Sequence, residues 1–187
     1  MTAAASAEAS FISESAEQTR RAGAVIGKRL RAGDVVALCG PLGAGKTELV
    51  KGIAAGLDVP ENQRVASPTF VLVREYAGRL TLFHIDAYRL SGASDLADLG
   101  FDEMCSAPDA ALAIEWADRV HEALPGEALR VDLEHDGDDR RLIHVTGPNS
   151  RSAAAAIAAD LAEFLAAAPA ENRQAGSDSA TDDLFWL

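Results

Sequence analysis

Hydrophobic and polar positions divide the chain into short apolar runs and helix-spaced segments. Residues 1–11 carry no clear period and predict a loose lead-in. Ser15 and Gln18 stand at the spacing of a capping box. Ala22, Val25, Ile26 and Leu30 then recur at helical intervals up to Gly33, a stop signal. Residues 34–39 predict the first strand, and a helix-compatible segment follows from Glu48 to Leu57, where Gly56 and Pro60 break the chain. Ser67-Pro68-Thr69 reads as a turn. Phe70 to Tyr76 and Leu80 to Ile85 read as strands, and the short link Ala77-Gly78-Arg79 favours a hairpin. Ser94 predicts the cap of a short helix through Leu99, and Ala110 to Ile114 predicts a buried strand. Leu129–Leu133 and Leu142–Val145 flank Asp136-Gly137-Asp138, a hairpin signal. Beyond 150, Ile157, Leu161, Phe164 and Leu165 mark one face of an Ala-rich helix. Residues 169–183 are small, polar and acidic and predict disorder. The final Leu184-Phe185-Trp186-Leu187 is either a docking peptide or an apolar end that has no role or folds back locally. No internal repeat is present.

Between the first strand and the helix after it lies Gly40-Pro41-Leu42-Gly43-Ala44-Gly45-Lys46-Thr47. It reads G-x-x-x-x-G-K-T in the strand–loop–helix setting of a phosphate-binding P-loop. Glycines let main-chain N–H groups turn inward without a Cβ clash, and the helix N-terminus adds partial positive charge. Lys46 would reach the β- and γ-phosphates and the Thr47 hydroxyl would ligate Mg²⁺. The candidate nucleotide-binding set is this loop with Glu48 directly after it; Trp116 is weighed with the second acid next.

Such a site also needs an acid at the carboxyl end of a neighbouring strand. Asp86 follows Leu82-Phe83-His84-Ile85 and Glu115 follows Ala111-Leu112-Ala113-Ile114. Both are candidates for the metal, with Thr47. Thr69 stands where a switch residue could sense the γ-phosphate, although Ser-Pro-Thr is also an ordinary turn. His84, two residues before Asp86, falls on the same strand face. It is either a satisfied core histidine or a polar group near phosphate. Trp116 either packs over the nucleotide or buries an edge.

Composition narrows the partners. The chain of 187 residues suits one domain, and its 48% hydrophobic content suffices for one core. The net charge is −12; residues 1–150 carry 15 basic and 23 acidic side chains, residues 151–187 carry 2 and 6. Without a Lys/Arg cluster, the acidic chain is a poor candidate for gripping RNA or DNA alone, since that affinity comes mostly from phosphate neutralisation, and a partner would hold any nucleic acid it serves. Cys39 and Cys105 have no CxxC neighbour and read as free thiols in a reducing compartment. The first residues lack the basic-then-apolar pattern of a signal peptide, and no run approaches ~20 apolar residues. The expectation is a cytoplasmic protein that contacts neither membrane nor DNA. There is no N-K-x-D or T-K-x-D string for guanine, and no arginine cluster for a kinase lid.

The motifs GPLGAGKT, then SPTF at Ser67–Phe70, HIDAYRL at His84–Leu90, DLGFDEM at Asp98–Met104 and IEW at Ile114–Trp116 occur in this order. Together they resemble the bacterial TsaE (YjeE) family, the ATPase of tRNA threonylcarbamoyladenosine biosynthesis. The resemblance covers roughly residues 10–147. It implies an α/β fold: a single P-loop NTPase domain over residues 10–150, with a mixed, largely parallel central sheet flanked by helices. An appended helix at 151–168 and a tail at 169–187 would lie outside it. It further implies slow ATP hydrolysis with Mg²⁺, mainly in a complex with TsaB and TsaD. TsaD would modify the tRNA adenosine beside the anticodon, and turnover of ATP would reset the complex. By motif, Lys46 would bind phosphate, Thr47 and Glu115 would hold Mg²⁺, and Asp86 would be the Walker-B-like acid. Asp86 would bind metal or orient the attacking water; Thr69 would be the switch threonine and Trp116 would lie near the nucleotide. By the same resemblance, Lys46, Asp86 and Thr69 would form the catalytic set. Two other readings of the same residues are a small-molecule kinase and a nucleotide-gated interaction module without turnover.

Overall fold

The computed structural model describes residues 6–148 and Asp160. The strands are β1 (Ser6–Ser13), β2 (Val35–Cys39), β3 (Val73–Tyr76), β4 (Thr81–Asp86), β5 (Ala110–Glu115), β6 (Leu129–His135) and β7 (Arg141–Pro148). The helices are α1 (Ala16–Arg29), α2 (Lys46–Gly56), α3 (Ala93–Asp98) and α4 (Phe101–Ser106). The strands form one sheet in the order β1-β7-β6-β2-β5-β4-β3. Its centre, β6-β2-β5-β4, is parallel, and the outer pairs β1–β7, β7–β6 and β4–β3 are antiparallel. This is the α/β fold with a mixed sheet that the motifs imply.

Helices cover both faces. Val36 and Leu38 of β2, Leu82 of β4 and Ala111 and Ala113 of β5 pack with Ala22 and Ile26 of α1 and Leu49, Val50 and Ile53 of α2. Val35, Ala37, Ile85, Leu112 and Ile114 point the other way, to Leu96 of α3 and Phe101 of α4. All of β2 and β5 is buried, as expected of central parallel strands covered twice. The alternation assigns His84 and Asp86 of β4, and Glu115 of β5, to the α2 face.

Ser15 caps α1, its hydroxyl accepting from the Gln18 N–H at 3.2 Å. The Gln18 carboxamide accepts from the Glu14 N–H rather than from the cap residue itself. α1 crosses α2 at touching backbone. A Cβ on Gly52 would lie 1.9 Å from the Arg20 carbonyl oxygen, and one on Gly23 would lie 2.2 Å from that of Leu49. Gly27 and Gly56 repeat the contact one turn on. Gly56 is thus the last residue of α2 and a contact glycine, not only a chain breaker.

The structure corrects several sequence expectations. Residues 6–11 are not a loose lead-in but most of β1, an edge strand in register with β7 from Ser6↔Pro148 to Ser13↔Arg141. Its small residues hide the alternation, and its pairing depends on a strand more than 100 residues away. Residues 70–72 are not strand. The N–H groups of Val71 and Leu72 both donate to the Pro68 carbonyl, and Leu72 has φ 65°, so β3 begins only at Val73. Gly92, not Ser94, stands at the start of α3, and α4 was not anticipated. The expected helix at 151–168 and tail at 169–187 lie outside the described residues, apart from Asp160, which accepts from Arg29 at 2.7 and 2.9 Å.

Candidate functional site

β2 ends at Cys39, and the chain turns through Gly40–Gly45 into α2. Three glycines of the turn have positive φ: Gly40 at 138°, Gly43 at 77° and Gly45 at 101°. At Gly40 a side chain is also barred by space, since a Cβ would lie 2.2 Å from the Leu133 carbonyl oxygen of β6. Two residues that the motif does not contain hold the rim. His135 Nε2 lies 3.2 Å from the Leu42 carbonyl oxygen, and Arg141 donates to the Gly43 carbonyl at 3.2 Å. In a planar trans peptide, a Leu42 carbonyl turned to β6 turns the Gly43 N–H away from it. The first turn of α2 opens beside this loop, and its leading N–H groups have no partner within the helix, the arrangement that favours an anion.

Lys46 is nearly buried. Its ammonium donates to the Gly40 carbonyl at 2.6 Å and to the Pro41 carbonyl at 2.8 Å, and lies over the Trp116 ring. Burial lowers its pKa, while the carboxylates of Glu115, Asp118 and Asp86 work in the opposite direction. Trp116 itself occupies the left-handed region (φ 59°, ψ 39°), a conformation that costs a non-glycine residue ~1–2 kcal/mol. This aims its indole between Lys46 and the Tyr88 ring, 5.0 Å away centroid to centroid.

The two acids named from the sequence end adjacent parallel strands and are register partners, Asp86↔Glu115. Glu115 is 3% exposed, and both its oxygens accept from the Thr47 hydroxyl, at 2.8 and 3.1 Å. Asp86 Oδ2 accepts from Ser67 and Thr69, each at 2.6 Å, and Oδ1 accepts from the Tyr88 N–H at 3.0 Å. Burial disfavours its charge, but these donors outweigh it and hold the carboxyl below its ordinary range. Ser67 was part of the SPTF string but had no assigned role; a hydroxyl two residues before a switch candidate was the available signal. Glu48 turns its carboxylate to Arg20 of α1 at 2.5 Å and to Lys51 at 2.6 Å, so its side chain faces α1.

Residues 42–48 of the loop and the start of α2, with Ser67, Thr69, Asp86, Tyr88, Glu115 and Trp116, line one cleft of about 490 Å³. Lys46, Thr47, Thr69, Asp86, Glu115 and Trp116 therefore converge as expected from sequence, while the Glu48 carboxylate turns away to α1. A second cleft of about 470 Å³ adjoins it between α2 and residues 59–67 and shares Thr47 and Ser67. Among the described residues no cluster of three His, Cys, Asp or Glu side chains could hold a metal alone. A hydroxyl and two carboxylates suit Mg²⁺ instead, a hard ion that takes one or two protein oxygens and completes its shell with phosphate and water. The residues present thus fit a metal that arrives with a nucleotide. No helix among the described residues is long and apolar enough to cross a membrane.

Comparison with known proteins agrees with these motifs. The family model described as "Threonylcarbamoyl adenosine biosynthesis protein TsaE" matches residues 13–143. A tRNA threonylcarbamoyladenosine biosynthesis protein TsaE from Treponema pallidum (strain Nichols) is 44% identical over 134 residues, 72% of this chain and 97% of that one. Its namesake from Bacillus subtilis (strain 168) is 40% identical over 136 residues, 72% of this chain and 83% of that one. The crystal structure of Bacillus subtilis YdiB superposes with a TM-score of 0.69 at 31% identity, covering 86% of this chain and 97% of that one. With the five motifs in order along one mixed sheet and a family match spanning most of it, the chain belongs to the TsaE family of tRNA threonylcarbamoyladenosine biosynthesis.

Proposed function

We propose that this chain binds ATP with Mg²⁺ in the Gly40–Thr47 cleft, hydrolyses it slowly, and does so as an accessory subunit of a complex with TsaD and TsaB. The observation that carries the reading is the meeting of three oxygen-bearing groups, Thr47, Glu115 and Asp86, at the mouth of a loop whose glycines and helix N-terminus suit phosphate. Bound Mg²⁺ would offset the charge on the β- and γ-phosphate oxygens. The Thr47 hydroxyl and Glu115 would hold that ion.

Lys46 would exchange its two carbonyl contacts for phosphate oxygens, a charge-assisted gain. Asp86, ionised and held by Ser67 and Thr69, would either join the metal shell or orient the attacking water. Thr69 is tied to Asp86, so its loop would respond to the γ-phosphate. Arg89 and Arg119, near the aromatic rim, lie over the Phe70 and Tyr88 rings at 4.7 and 5.2 Å. With those two guanidiniums engaged on rings, neither is aimed at the cleft, which suits slow turnover alone and faster turnover when a partner completes the site. An acidic chain without a basic cluster suits a subunit that leaves tRNA to its partners.

The test has two arms. Calorimetric titration of ATP with and without Mg²⁺ should show metal-dependent binding. Capture of the tagged chain with ATP present should recover the two partner subunits, and ADP should form without any phosphorylated metabolite. No binding of ATP would remove the nucleotide reading; binding without the partners would remove only the complex.

A further inference from the structure

His84 is fully buried in the middle of β4, with Ala113 of β5 as its register partner. Its ring Nε2 lies 2.8 Å from Glu115 Oε1, the oxygen that also accepts from Thr47 at 2.8 Å. An ionised carboxylate only accepts, so the proton of this contact belongs on Nε2. Nδ1, on the other side of the ring, is buried with no hydrogen-bond partner among the described residues. A buried polar atom left unmatched is costly, and a histidine retained solely for packing has no need to incur that cost. A leucine of similar size would fill the place, as Leu82 does one inward position earlier on the same strand.

We propose that His84 is a positioning residue for Glu115. The terminal torsion of a glutamate is broad, so its carboxylate has no strong rotational preference of its own. Donation from Nε2 fixes one edge of the carboxylate, and the Thr47 hydroxyl fixes the face toward α2. The lone pairs left over are then aimed into the cleft before a cation arrives. This inference rests on the Mg²⁺-nucleotide reading above and adds the group that orders its metal ligand. Partners that orient a ligating carboxylate typically contribute about 10- to 100-fold to metal affinity.

The experiment titrates MgCl2 against the full chain with a non-hydrolysable ATP analogue, and measures analogue affinity separately in EDTA. His84→Leu keeps volume and removes the donor; His84→Gln keeps an amide donor at comparable reach. The expected result is a rise of about tenfold or more in the Mg²⁺ midpoint for His84→Leu, with EDTA affinity within about twofold of the unchanged chain. His84→Gln should recover most of that loss. A folded His84→Leu with an unshifted midpoint overturns the proposal, and so does an equal loss in EDTA. If His84→Leu lacks the native melting transition, His84→Asn replaces it, since its shorter amide stops short of Glu115. Asn and Gln variants with equal midpoints then overturn the proposal, and a shifted Asn beside a recovered Gln supports it. Absence of Mg²⁺-dependent binding in the unchanged chain overturns the nucleotide reading and this inference together, which separates the two failures.

Discussion

The ammonium of Lys46 lies 3.7 Å from the centroid of the Trp116 ring. A cation over an indole face is attracted by the ring quadrupole, so a single buried lysine is shared between two loop carbonyls and an aromatic face. Phosphate entering the loop would draw the ammonium away from the indole. The chain has two tryptophans, Trp116 and Trp186. In a Trp186→Phe background, ATP is expected to change the emission of Trp116, and Lys46→Ala is expected to abolish that change. An emission spectrum that ignores saturating ATP would contradict the arrangement.

Lys46→Ala should also weaken ATP binding itself. Each charge-assisted contact removed is worth ~1.5–3 kcal/mol, or about 10- to 150-fold in affinity. Calorimetry at constant ionic strength measures it directly, and unchanged affinity would refute the role.

Glu115→Gln leaves the Thr47 hydroxyl an acceptor but takes a negative charge from the position proposed for the metal. The expectation is a larger loss of ATP affinity in Mg²⁺ than in EDTA. Equal losses in both would place Glu115 outside the metal's reach.

Asp86 gives a pH signature. Its folded pKa is depressed below the ordinary value of about 3.9. A depressed carboxyl stabilises the fold fully above the unfolded pKa and loses that contribution as pH falls through the folded one. Urea midpoints measured from pH 6 to pH 3 should therefore fall more steeply below pH ~4 in the unchanged chain than in Asp86→Asn. Parallel curves would show that the Ser67 and Thr69 hydrogen bonds do not favour the ionised form.

The glycine crossing predicts stability rather than activity. Gly52→Ala must displace backbone, because nothing flexible stands 1.9 Å from the new methyl group. Overpacking of this kind costs ~1–3 kcal/mol. Gly126→Ala, with open space around it, is the control and should change stability far less. Urea denaturation of both variants decides the matter.

Much of this site was legible in the sequence because its parts are local. The glycine loop, Lys46 and Thr47 form one string, and Asp86 and Glu115 each close an apolar run at a strand end. What escaped was set by distance along the chain. His84 could be placed on the Asp86 face, but its hydrogen bond to Glu115 depends on β4 and β5 being neighbours in register. Arg141 and His135 reach the loop from β6–β7, more than 90 residues away. Phe70 to Leu72 have the composition of a strand, yet the Pro68 carbonyl and the Thr69–Asp86 hydrogen bond pull them into a turn. Gly23, Gly27, Gly52 and Gly56 sit four apart on two helices, a spacing visible in the sequence but meaningful only once α1 and α2 face each other.

That crossing limits where the molecule can move. Main chain rests on main chain along two turns, so neither cylinder can slide without driving a carbonyl into an α-carbon. The end of α2 that lines the cleft is thereby anchored from behind. If the cleft fills as proposed, the segment around Thr69, with its exposed Phe70, is expected to give way before α2 does.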